Sequence, residues 1–124
     1  MRRSPVPSAA PEGAVLAKAF LRAAGRLGLT QRQAAAVLGV SEATLSRVAS
    51  GRPIDPESKE GEIAVLFVRA FRSLDALVGG READARAWMH AENRHLGGVP
   101  AVLACTITGL VDVVGYLDAV RGKL

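Results

Sequence analysis

The chain has 124 residues, 49% of them hydrophobic, with 16 Lys+Arg against 12 Asp+Glu and a formal net charge of +4. This length holds one domain or two very small ones around a modest core. No apolar run approaches the roughly 18 residues of a membrane span, and a single cysteine excludes an internal disulfide and a cysteine-based zinc cluster.

The N-terminal MRRSPVPSAAPEGA has two arginines but no apolar core, so it is not a secretory signal. Its Pro, Ser and Ala content reads as a flexible arm over residues 1–13. Together with the lone cysteine, this points to a cytoplasmic protein. Charge is divided unevenly. Residues 1–54 carry 8 basic and 2 acidic side chains, a balance of +6; residues 55–124 carry 8 and 10, a balance of −2.

Helical periodicity runs through the chain, and no segment alternates as a strand does, so the fold class is all-α. From Glu12 to Leu27 the residues Leu16, Phe20, Ala23, Ala24 and Leu27 share one helix face. Thr30 with Gln33 forms a capping-box pattern for a second helix ending near Leu38. Gly39 breaks that helix, Ser41 caps a third, and Gly51 follows its end. RPIDPESKEGE, up to residue 62, reads as a linker or a capped turn. An amphipathic stretch from Ile63 to Val78 then keeps helical spacing and stops at Gly79-Gly80. A short helix spans Arg81 to about Ala91 and carries Trp88. Gly97, Gly98 and Pro100 interrupt the next segment, where Pro100 suits the first position of a short helix. A final helix is expected from about Gly109 to Val120, with Gly122 as its stop.

Residues 31–48 fit a tight frame: Gln31-x3-Ala35-x3-Gly39-x5-Leu45-x2-Val48. Ala35 is small where two helices cross, Gly39 sits in the turn, and Leu45 and Val48 anchor the third helix. At about 100° per residue, Ala43 and Arg47 then point away from the anchored side. This frame resembles the helix-turn-helix of Xre-type and phage repressors. The resemblance implies that Glu42, Ala43 and Arg47 read bases, while Gln31, Ser41, Thr44 and Ser50 touch sugar-phosphate. Arg47 suits the O6/N7 edge of guanine. A helix pair that kept this fold to bind protein instead remains an alternative, to which the small Ala43 and acidic Glu42 lend weight.

The second half holds no catalytic constellation. His90 and His95 miss the i, i+4 spacing of a helical zinc pair. His90-Ala91-Glu92 echoes the H-x-E of zinc deaminases, but no P-C-x-x-C follows. The two histidines read as solvent-facing or hydrogen-bonded near a helix end, and Cys105 as a buried, inert thiol. No metal site, cofactor or enzymatic activity is expected.

AWMHAENRHLGGVPAVLACTITGLVDVVGYLDAVRG, residues 87–122, resembles the C-terminal toxin-binding domain of Xre/MbcA/ParS-type antitoxins. The shared frame is Trp88, Asn93, Leu96, Gly98, Pro100, Gly109, Tyr116-Leu117-Asp118 and Arg121-Gly122. Ile107-Thr108 departs from it, since Pro- and Glu-type helix starters are expected there. The resemblance implies an antitoxin that covers the active-site entrance of an NAD⁺-consuming RES-domain toxin. Residues implied in that contact are Asn93, Leu96, Gly98, Tyr116, Asp118, Arg121, Lys123 and Leu124. It also implies operator DNA as a partner, autorepression, and a homodimer within a larger complex. The expected organisation is an arm (1–13), a helix-turn-helix (14–52), a linker or turn (53–62) and a helical dimerisation and toxin-binding domain (63–124). The alternatives are a stand-alone regulator whose second half only dimerises, and an interaction protein with a vestigial DNA-binding fold.

Overall fold

The computed structural model describes residues 9–123. Among them the chain forms seven α-helices and no strand: α1 (Ala9–Arg26), α2 (Gln31–Leu38), α3 (Glu42–Ala49), α4 (Lys59–Leu77), α5 (Glu82–His90), α6 (Pro100–Leu103) and α7 (Ile107–Gly122). The chain is all-α, as its periodicity requires.

Helix α1 buries Ala17, Phe20, Ala23, Ala24 and Leu27 along one face. It begins at Ala9, ahead of the expected Glu12. The Glu12 carboxylate lies in its first turn, where the helix dipole favours negative charge. Helix α4 likewise starts early. The Ser58 hydroxyl accepts a hydrogen bond from the Gly61 amide at 3.0 Å, so the helix opens at Lys59 rather than near Ile63. Charged residues fill this first turn, and the apolar stripe marks only its later part.

Helix α4 occupies the centre, packing against α1 on one side and α7 on the other, with α2 and α5 at its flanks. Phe67 of α4 meets Phe20 of α1 with ring centroids 5.3 Å apart and planes inclined at 54°. Both rings are buried, as are Ala64, Ala70 and Leu74. Helix α5 adds a polar tie. Arg86 donates to the Gly25 and Arg26 carbonyls at 3.0 and 3.1 Å, and His90 Nε2 to the Leu27 carbonyl at 2.9 Å. These carbonyls lie at the end of α1, where those of Arg26 and Leu27 would otherwise remain unpaired.

Pro100 starts α6, and Thr106 caps α7 by accepting from the Gly109 amide at 3.0 Å. The last helix therefore runs from Ile107 to Gly122, longer at both ends than its periodicity suggested. Threonine supplies the cap that the unusual Ile107-Thr108 pair does not. Gly109 is buried against α6: a Cβ there would lie 2.0 Å from the Leu103 carbonyl oxygen. Gly115, on the same helix, would place its Cβ in open space.

These two glycines have opposite expected responses. Gly109→Ala forces backbone apart and should destabilise the fold by about 1–3 kcal/mol. Gly115→Ala should stabilise it by up to about 1 kcal/mol through helix propensity. Urea unfolding of both variants checks the sign.

Candidate nucleic-acid interface and partner-binding face

The helix-turn-helix is held by local hydrogen bonds. Thr30 and Gln33 form a reciprocal capping box at α2. Gly39 adopts φ 78°, a conformation costly for side chains, and its amide closes α2 on the Ala35 carbonyl. Ser41 then caps α3 by accepting from the Thr44 amide at 3.1 Å. Leu45 and Val48 are buried, which fixes the rotation of α3. Glu42, Ala43, Ser46, Arg47 and Ser50 are consequently exposed. Gln31 does not stand free: its Nε2 donates to Ser46 Oγ at 2.7 Å and lies 3.4 Å from the Glu42 carbonyl. Arg47 Nη2 donates to Thr44 Oγ1 at 3.0 Å, laying the guanidinium along its own helix.

In the second half, Asn93 closes a tight loop with Gly98. Its amide donates to the Gly98 carbonyl at 2.9 Å, the reverse bond is 3.2 Å, and its Oδ1 accepts from the Leu96 amide at 3.0 Å. Tyr116 of α7 stacks with Trp88 of α5 (centroids 6.2 Å) and with His95 of the loop (5.6 Å). Leu96 is half-buried beside them. Asp118 is engaged inside the molecule. Its Oδ2 pairs with Arg69, and its Oδ1 accepts from the buried Ser73 hydroxyl at 3.1 Å. Ser73 Oγ in turn lies 3.4 Å from the Arg121 guanidinium, which donates to it. Lys123 is exposed, and Leu124 lies outside the described residues.

Comparison with known families matches both halves. Residues 8–69 match the antitoxin Xre-like helix-turn-helix domain, and residues 73–123 match the antitoxin Xre/MbcA/ParS C-terminal toxin-binding domain. The chain belongs to the Xre-type antitoxins. The curated proteins yield no match. A helix-turn-helix implies DNA as one partner of this antitoxin, and the C-terminal domain implies a toxin as the other. Both families are of antitoxin type rather than enzymes. No helix among the described residues is long and apolar enough to cross a membrane.

Among the described residues, the antitoxin therefore gathers its sequence-derived residues into two groups, with Gln31, Ser41, Glu42, Ala43, Thr44, Arg47 and Ser50 around α3 and Asn93, Leu96, Gly98, Tyr116, Asp118, Arg121 and Lys123 around α7. Cys105 needs correction: it is half-buried, not fully buried. Burial still raises its thiol pKa above the ordinary value, and Sγ donates to the Ala101 carbonyl at 3.5 Å. Sequence reasoning missed three features. Arg69 and Ser73, which hold Asp118, are one; the only hint was a serine within the apolar stripe of α4. The clasp of Arg86 and His90 on α1 is the second, and nothing local to α5 reveals it. The third is the exposure of Val102, Ile107 and Val111, which are 64%, 59% and 49% exposed.

Among the described residues Ser73 is the buried polar side chain, 2% exposed, and it links α4 to Asp118 and Arg121 of α7. Ser73→Ala removes both hydrogen bonds and should cost about 1–3 kcal/mol, because Asp118 and Arg121 lose a partner. Thermal unfolding measures the loss.

Proposed function

We propose that this antitoxin neutralises a RES-domain, NAD⁺-consuming toxin by seating α7 and its tail over the toxin's active-site entrance. It acts in the cytoplasm and represses its own operon by binding a palindromic operator as a homodimer. The observation that carries the reading is the apolar edge of α7. Leu110, Val113, Val114 and Leu117 are buried, yet Ile107 and Val111 stay exposed one turn apart. A helix apolar on nearly all faces belongs between two surfaces. One surface is α4; the toxin supplies the other.

Each group then has a role. Ile107 and Val111 give the apolar contact. Arg121 and Lys123, with Leu124, bring polar groups to the rim of the toxin's cleft. Asp118 positions Arg121 through Ser73. Asn93, Leu96, Gly98 and Tyr116 shape the loop that braces α7. Inhibition is by occlusion, so no catalytic residue, metal or cofactor of the antitoxin takes part. The match of residues 73–123 to a toxin-binding domain supports the partner class. On DNA, Arg47 takes a guanine, Ala43 and Glu42 flank it, and Gln31, Ser41, Thr44 and Ser50 meet the backbone. The division into a reader (14–52) and a dimerisation and toxin-binding part (63–124) belongs to the same proposal, although the segments expected as arm (1–13) and linker (53–62) are partly helical, since α1 begins at Ala9 and α4 at Lys59.

Co-expression with a RES-domain toxin tests the first part. The wild type should co-purify with the toxin and stop NAD⁺ consumption. Ile107→Asp/Val111→Asp should weaken the complex by about 2 kcal/mol or more, roughly 30-fold. A chain that binds operator DNA but neither co-purifies with nor inhibits the toxin would instead be a stand-alone regulator. For the reader helix, Arg47→Ala should lose about 1–3 kcal/mol of discrimination at one base pair while non-specific binding persists. Gel shifts against single-base operator variants measure it, and an unchanged base preference removes the role.

A further inference from the structure

Helices α1 and α4 pack side by side and leave a long groove on the face turned away from α3. It consists of two adjoining recesses of about 420 and 430 Å³ that share Ala19, Val68 and Arg72. The two ends differ in chemistry. One is mainly apolar, with Val15 and Val65 at its rim, 67% and 50% exposed, and Glu12 at its far end. The other is basic, with Lys18, Arg22, Arg26 and Arg72 around a single carboxylate, Asp75. Among the described residues, no carboxylate lies within 4.0 Å of the cationic atoms of Lys18, Arg22 or Arg72, and Arg26 reaches Glu82 only at 3.9 Å.

This arrangement works against the isolated chain. Lys18, Arg22 and Arg26 stand at i, i+4 and i+8 on α1, where like charges disfavour a helix. The exposed valines are left in water beside them. Both costs are relieved by a ligand that is apolar at one end and acidic at the other. We propose that the α1/α4 groove is a docking site for an acidic amphipathic helix of a second protein partner, distinct from the toxin-binding face on α7.

Dimensions and charge support this occupant. From Val15 to Arg26 the groove follows α1 for about 17 Å, the length of a three-turn helix. Two packed helices offering a groove match the helix-in-groove mode, in which apolar anchors recur at i, i+3/i+4 and i+7. Nucleic acid fits less well, because beyond the shared Arg72 the Val15/Val65 end offers phosphate no donor and presents the Glu12 carboxylate. A second copy packed parallel would set these cations against their own kind, and one packed antiparallel would set them on the apolar Val15/Val65 end, so neither arrangement matches the groove.

A peptide-display selection on the full-length antitoxin tests this, using a random library of 14-residue peptides. Enriched sequences should combine acidic residues with apolar residues at helical spacing. The best of them, made synthetically and labelled, should bind with its Kd raised at least tenfold by Arg22→Glu/Arg72→Glu, and raised by 0.5 M NaCl. Lys59→Glu/Arg94→Glu changes the charge equally outside the groove and should leave the Kd within twofold. If the reversed pair fails to fold by circular dichroism, Arg22→Gln/Arg72→Gln replaces it. Failure to enrich any acidic amphipathic peptide overturns the proposal. So does equal competition by a scrambled peptide or by a single-stranded oligonucleotide, which would make the groove a general polyanion site. A monomer–dimer shift in sedimentation on Val65→Asp would assign the groove to a second copy and also overturn it.

Discussion

Everything in this molecule depends on α4 being buried on two sides at once. A helix of 19 residues must present Phe67 to Phe20 of α1 while offering Ser73 and its neighbours to α7. Large side chains all round could not satisfy both. The helix therefore carries Gly61, Ala64, Ala70 and Ser73 among its buried residues, and these let neighbouring backbones approach closely. At Gly61 the approach is extreme: a Cβ would lie 2.1 Å from the Asp55 carbonyl oxygen. The loop that leaves the reader helix is thus pressed directly onto the start of the helix that supports the toxin-binding half.

The two functional halves consequently share a core. Residues 8–69 match one family domain and residues 73–123 another, but the junction falls inside α4. Polar ties reinforce the shared packing. Arg86 and His90 of the second half satisfy the carbonyls that end α1 in the first. The Arg26 and Leu27 carbonyls would otherwise need water, whereas that of Gly25 also accepts from the Gly28 amide at 3.1 Å, and the clasp fixes α5 against the reader unit. Asp118, Ser73 and Arg121 do the same between α7 and α4.

Much of this was legible in the sequence because local rules and tertiary packing agree there. Thr30, Gly39, Ser41, Leu45 and Val48 each have a role set by neighbours within a few residues, and each occupies the place that role requires. Pro100 starts α6 for the same reason. The misses arise where distant residues decide. The start of α4 is set by Ser58, in a charged segment that periodicity passes over. Arg69 and Ser73 acquire meaning only when α7 arrives some 45 or more residues later in the chain. Ile107 and Val111 look like core residues in an apolar string; only the folded chain shows that α4 covers one side of α7 and leaves them in solvent. Cys105 reads as core for the same reason and is half-exposed.

If α4 joins both halves into one unit, they must unfold together. The one tryptophan, Trp88, lies in the second half against Tyr116, whereas far-ultraviolet circular dichroism follows all seven helices. Urea titration monitored by both signals is the direct measurement. Superimposable transitions with a single midpoint and slope are expected of a shared core. A Trp88 transition completed at lower urea, while a large fraction of the helical signal persists, would show two independent folding units and contradict the account.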